Sequence, residues 1–258
     1  MVETNLFMES ENHRITETVK NFSVLEYDRD LSVTELNAEQ QYFASKMNIR
    51  KKQLAVRLED SGAVLQAGAM QIMMGKIRVS TNVTGAMDLM KKMVGSKVTG
   101  ETTIKPLYEG TGVVLLEPTY KHILLEEVEN WQGGMVIEDG MFLSCSSTVN
   151  INVTGRNTVT GAVFAGEGLF NSILTGQGIV ALESPVPRAE LITIALTDDE
   201  VRIDGNMAVA WSNSLKLTVE KTTKTLVGSA VSGEGLVNVY RGTGKVWVAP
   251  VRGDKVRS

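Results

Sequence analysis

Residues 100–118 read GETTIKPLYEGTGVVLLEP, and the chain returns to this pattern twice. Residues 166–185 read GEGLFNSILTGQGIVALESP, and residues 233–250 read GEGLVNVYRGTGKVWVAP. Each stretch holds Gly-Glu, then Gly-x-Gly, then a run of strand-forming residues closed by a proline. Gly100, Gly166 and Gly233 lie 66 and 67 positions apart, longer than the usual solenoid period. The pattern predicts three copies of one β unit in a single globular body.

Outward from these stretches the same order recurs. QLAVRLEDSGA (residues 53–63) alternates Leu54, Val56 and Leu58 with polar or small residues, then reaches Asp60-Ser61-Gly62. Period two with one apolar face predicts a half-buried strand ending in a turn. MVIEDG (residues 135–140) and VRIDG (residues 201–205) repeat that entry. A second alternating stretch follows each: Ile77 and Val79, then Val149, Ile151 and Val153, then Leu215, Leu217 and Val219. Pro118, Pro185 and Pro250 cannot donate to a ladder and end the last strand of each copy. HILLEEV (residues 122–128) and ELITIAL (residues 190–196) read as strands between copies. The expected fold is all-β: three tandem β-sandwich or double-stranded β-helix-like repeats around a pseudo-threefold axis, with one short inserted helix. Residues 1–21 are expected to form a flexible acidic arm, residues 22–250 one β domain with repeats at about 53–118, 135–185 and 201–250, and residues 251–258 a tail.

Copy one breaks the symmetry. Asp60 lies 40 positions before Gly100, against 27 from Asp139 to Gly166 and 29 from Asp204 to Gly233. Within the extra length AMDLMKKMV places Met87, Met90 and Met93 on one stripe of a predicted amphipathic helix. Methionine fills irregular core gaps, and it also builds adaptable binding surfaces. Both readings stand, the second naming a protein or a membrane surface as partner. Nearer the N-terminus, Leu36, Phe43 and Met47 fall near helical spacing, with Asn37 and Gln40 placed like a capping box.

Composition bounds the function classes. A net charge of −4 at pH 7 argues against nonspecific nucleic-acid binding, which needs a basic footprint. The densest basic run, Lys46, Arg50, Lys51 and Lys52, lacks interleaved aromatics and reads as a solvated segment. One cysteine, Cys145, excludes an internal disulfide. The first residues, MVETNLFMESENHR, carry neither a basic nor an apolar leader pattern, and no run reaches the 18 or so apolar residues of a membrane span. The expected location is cytoplasmic.

No catalytic constellation emerges. The Gly-x-Gly elements precede strands and lack the third glycine of a dinucleotide fingerprint, so tight turns and β-bulges explain them. GAMQIMMGK (residues 68–76) has its glycines seven apart and Ile77 where a Walker motif needs Ser or Thr. Glu101, Glu167 and Glu234 each follow the first glycine of a copy. Around a pseudo-threefold axis they would form a carboxylate ring able to hold a cation or a basic group; alternatively each accepts backbone N–H bonds at its own turn. His13 and His122 are the two histidines, too few for a His-based triad or metal cluster. Cys145 sits in an alternating apolar strand and reads as a buried, inert thiol.

The combination of QLAVRLEDSGAVLQAGAM with its trailing methionines, EGTGVVLLEP and GEGLF…GQGIVAL resembles the family named for yeast altered inheritance of mitochondria protein 24. The resemblance covers about residues 22–250. It implies an all-β fold related to the tryptophan RNA-binding attenuation protein, three such units per chain, and homo-oligomers. Mitochondrial relatives are linked to inner-membrane organisation, which implies scaffolding more than catalysis. No tryptophan- or RNA-binding residues carry over to this acidic chain, and the family supplies no catalytic residues to transfer. The expectation is a non-enzymatic, self-associating scaffold or interaction protein without cofactor. The alternative is a cupin-like small-molecule or metal-binding protein using the repeated glutamates.

Overall fold

The computed structural model describes residues 3–81, 105–155, 170–205, 207–221 and 236–251. Its strands are β1 (His13–Val19), β2 (Phe22–Tyr27), β3 (Lys52–Leu65), β4 (Met70–Ser80), β5 (Leu107–Leu116), β6 (His122–Glu127), β7 (Met135–Ile137) and β8 (Phe142–Ser146). They continue as β9 (Val149–Gly155), β10 (Phe170–Gly176), β11 (Ile179–Ser184), β12 (Ile192–Asp204), β13 (Ala208–Ser212), β14 (Lys216–Lys221) and β15 (Leu236–Val248). One α-helix, α1 (Ala38–Lys46), lies among the described residues. The fold is all-β, as the alternating pattern predicts.

Two antiparallel sheets carry the strands. The first runs β1-β2-β3-β8-β11-β6, with β5 also on β3 and β4 beyond β5; the second runs β12-β15-β13-β7-β10-β9, with β14 on β15. Both contribute to a common core, where Phe142 and Leu182 of the first meet Met135, Leu174 and Trp247 of the second. Trp131 and Trp247 meet edge to face there, ring centroids 4.9 Å apart, an arrangement worth about 0.5–1.5 kcal/mol beyond burial. A second cluster, Phe22, Val24, Leu54, Val56, Val114 and Leu116 among its members, fills the first sheet. No helix among the described residues is long and apolar enough to cross a membrane.

The long strands bend at the Gly-x-Gly elements. In β3, Leu58 pairs with Gly112 and Ser61 with Gly110, so Glu59 and Asp60 together face Thr111. In β12, Leu196 pairs with Gly244 and Asp199 with Gly242, leaving Thr197 and Asp198 opposite Thr243. Asp60 and Asp198 take positive φ, 49° and 52°. Each backbone N–H donates to the hydroxyl of the facing threonine, at 3.3 Å to Thr111 and 3.0 Å to Thr243. Asp60-Ser61-Gly62 is therefore a mid-strand bulge and not the turn expected from its composition, because partner strand β5 continues past it. Likewise ELITIAL and VRIDG, read as separate strands, belong to the single strand β12. In the corresponding stretch of residues 122–140, a 3₁₀ turn at Val128–Asn130 and the loop after it separate β6 from β7. Gly178 N–H there donates to Glu129 Oε2 at 2.8 Å.

Other expectations need correction. Residues 13–19 are not loose arm: they form β1, paired with β2 along its length. Its period-two burial was masked in the sequence because Ile15 and Val19 are its only aliphatic members and the rest is polar. Upstream, Leu6 and Phe7 pack against Leu25, Ala55 and Leu115, covering the second face of the first sheet. At the helix, Asn37 makes no side-chain capping bond, and Leu36, Phe43 and Met47 are exposed. The inserted helix expected at Met87–Met93 lies outside the described residues.

Gly110 shows how tight the crossing is. Its φ is +137°, and a Cβ there would sit 2.1 Å from the Lys76 carbonyl oxygen. Gly110→Ala is expected to destabilise the fold by about 1–3 kcal/mol, the usual cost of a non-glycine residue held in such a conformation, and urea unfolding measures it. Arg241, just before Gly242, joins three strands by binding Glu200 of β12 and Glu220 of β14. Hydrogen bonds from Arg241 and then Thr218 hold the Glu220 carboxyl at about 2, below the usual 4.5. A depressed carboxyl contributes stability above pH 4.5 that is lost as pH falls toward 2. Urea midpoints of the wild type should therefore fall more steeply across that window than those of Glu220→Gln.

Candidate functional site

Strand register gathers charge at one end of the first sheet. Arg14 of β1 pairs with Glu26 of β2, and Glu26 pairs with Lys52 of β3. Three adjacent strands thus set Arg14, Glu26 and Lys52 in a row on one face, as cross-strand neighbours must be. The Glu26 carboxylate takes Arg14 Nη2 at 2.7 Å and Arg50 Nη1 at 3.2 Å, with Lys52 Nζ at 3.7 Å. Asp28 binds Arg14 Nη1 at 3.0 Å and also receives Arg50. This row lines one wall of an open cleft of about 1170 Å³; His122, Glu138, Asp139 and Glu183 line other parts.

Burial tunes two of these groups. The Lys52 side chain is 8% exposed, and its ammonium donates to the Arg50 carbonyl at 3.1 Å. Desolvation pushes its pKa down while Glu26 pulls it back up. His122, half-buried at the start of β6, is lowered first by burial and then by the Lys52 charge. Lys121, just before β6, ion-pairs with Glu183 of the adjacent strand β11. Cations and carboxylates interleave and neutralise one another, so the cleft presents no single-signed field to steer a charged ligand.

The basic run needs a second correction. Arg50 binds Glu26 and Asp28, Lys51 binds Asp30 at 3.1 Å, and Lys52 is buried. Arg50, Lys51 and Lys52 are therefore a neutralised wall, while Lys46 is exposed as expected of a solvated segment. Cys145 is buried, and burial pushes its thiol up to about 12, consistent with an inert packing role. Among the described residues, no three His, Cys, Asp or Glu side chains group as a metal ion requires. The sequence-level candidates Glu101, Glu167, Glu234, Met87, Met90 and Met93 all lie outside the described residues. The cleft was invisible in the sequence because its members come from positions as distant as Arg14, Lys52 and Glu183.

Two sheet margins form a second candidate surface. Among the described residues β4 pairs with β5 alone and β12 with β15 alone. Ile72, Met73 and Val79 of β4 and Ile192 of β12 are exposed apolar residues along these margins.

The described residues form an all-β protein of two antiparallel sheets, with no further strand among them on the outer margins of β4 and β12. The chain belongs to the family described as Mitochondrial biogenesis AIM24, which it matches over residues 45–251. It is 28% identical over 202 residues to an uncharacterized protein of Streptococcus pyogenes serotype M6, covering 75% of this chain and 79% of that one. It is also similar to the X-ray crystal structure of a Streptococcus pyogenes protein, with a TM-score of 0.58 and 25% identity, covering 80% of this chain and 91% of that one.

The His122 environment is directly testable. Its imidazole should titrate below 6.5 by NMR, and Lys52→Met should move that midpoint upward; His13→Gln assigns the signal. Because the folded pKa is depressed, the contribution of His122 to stability is complete above pH 6.5 and is lost as pH falls from there through the lowered folded pKa.

Proposed function

We propose that this protein is a non-enzymatic, self-associating scaffold or interaction protein, built from three copies of one β unit around a shared core. One observation carries the reading: β4 and β12 are 11 and 13 residues long, yet among the described residues each has one margin without a strand partner. Unpaired backbone N–H and C=O groups along such margins template pairing with another chain unless the edge is blunted. Here the margins carry exposed Ile72, Met73 and Ile192. Ion pairing within the charged cleft supports the same reading, since Arg14, Glu26, Arg50, Lys52, Lys121 and Glu183 are engaged in structural ion pairs.

Self-association should appear in sedimentation velocity as species heavier than the 28.1 kDa chain, with a fraction that rises with concentration. A single species of chain mass at every concentration up to the solubility limit would refute the proposal.

A further inference from the structure

The chain twice uses the same joint between neighbouring sheet segments. β8 pairs with the end of β3, setting Ser144 opposite Leu65 and Cys145 opposite Val64. β13 pairs with β7, setting Ala210 opposite Ile137 and Trp211 opposite Val136. Both joints are antiparallel and both are buried: Ser144, Cys145 and Ala210 are 0% exposed and Trp211 is 3%. In each case the joining strand also has a one-residue irregularity against its other neighbour, at Phe142/Ser144 in β8 and at Ala208/Ala210 in β13.

β4 has the same irregularity, at Met70/Ile72, against β5. Ile72 therefore stands where Ser144 and Ala210 stand, and Met73 where Cys145 and Trp211 stand. Yet Ile72 is 43% exposed and Met73 41%, and no strand among the described residues lies beyond them. The complementary vacancy is at the other end of the chain. Counting from the Gly-x-Gly partners, Ile203 of β12 corresponds to Leu65 and Ile137, and Arg202 to Val64 and Val136. Among the described residues that margin of β12 has no strand partner either. Among the described residues β4 is thus a joining strand with no strand to join, and β12 a receiving edge with no strand received.

We propose that β4 of one chain pairs antiparallel with β12 of a second copy, repeating the internal joint in a head-to-tail contact. The proposal rests on the self-association reading and adds its surface and register. Ile72 then faces Ile203, Met73 faces Arg202 and Met74 faces Val201. Charge favours this pairing over like with like: β4 continues into Lys76 and Arg78, while β12 carries Asp198, Asp199 and Glu200 in the facing direction. The same register brings Lys76 opposite Asp199. Two β4 edges would oppose cations and two β12 edges would oppose carboxylates, which is unfavourable directly across a sheet. A contact between different edges is heterologous, so it propagates to further copies or closes a ring.

Cysteines at Met73 and Arg202 test the register with a short thiol-to-thiol cross-linker; Cys145, buried and with a raised pKa, stays silent. Chains carrying both Met73→Cys and Arg202→Cys should give a ladder of covalent multimers. Either single variant alone should give none, and a mixture of the two single variants should give covalent dimers. Ile72→Lys, at an exposed position, should keep the monomer folded by circular dichroism and abolish the ladder when added to the double variant. Cross-linking of one single variant to itself overturns the proposal in favour of like-edge pairing. A link formed within one chain overturns it in favour of internal closure. Multimers in sedimentation without any cross-link overturn this register while leaving self-association intact, whereas a chain that sediments only as monomer removes both.

Discussion

A strand of 14 residues such as β3 spans about 46 Å at the usual rise per residue, well beyond the five or six residues of an ordinary strand. Such a strand cannot stay flat and keep both halves on a core, so it must bend. The two-against-one bulge opposite Gly-x-Gly makes the bend, since an extra residue on one strand raises the local twist. Its stereochemistry requires Asp60 or Asp198 at positive φ, a threonine hydroxyl to accept the displaced N–H, and glycines where the facing backbone comes closest. Because β3 bends there, its first half pairs with β2 and its last residues pair with β8. The order of the first sheet follows from that division.

Residues 122–140 solve the same problem differently. Instead of bulging, the chain leaves the sheet after Glu127 and returns at Met135. Val128 stays in the core at the position of Leu58 and Leu196, and Trp131 uses the excursion to reach Trp247. The backbone of the excursion is satisfied locally: Val128 N–H donates to the Gly178 carbonyl at 3.0 Å, and the Glu129 carboxylate accepts from Gly178 N–H. A bulge and a short excursion thus meet one geometric demand, and the excursion adds an aromatic anchor between the two sheets.

Charge has a supporting part in this architecture. Exposed ion pairs contribute about 0–1 kcal/mol each, so the Arg241–Glu220 and Arg14–Glu26 contacts do not hold the fold by themselves. They set register instead: Arg14, Glu26 and Lys52 match across three strands only in the observed alignment. The same groups leave the cleft balanced. Among the described residues, the long outer margins of β4 and β12 carry no strand.

The sequence by itself determined the all-β class, the three Gly-x-Gly crossings and the strands that precede each proline, because period-two alternation and glycine placement act over a few residues. It also exposed a family resemblance that the match over residues 45–251 bears out. Only the tertiary structure decided that Asp60 marks a bulge and not a turn, because that depends on whether β5 continues alongside. The polar strand β1 was hidden for a related reason: an edge strand is stabilised by the backbone of β2 and needs few apolar residues of its own. The charged cleft was beyond local reading altogether, since Arg14, Lys52, His122 and Glu183 become neighbours only through strand order. So were the open margins of β4 and β12, because an edge is defined by the strand that does not lie beside it.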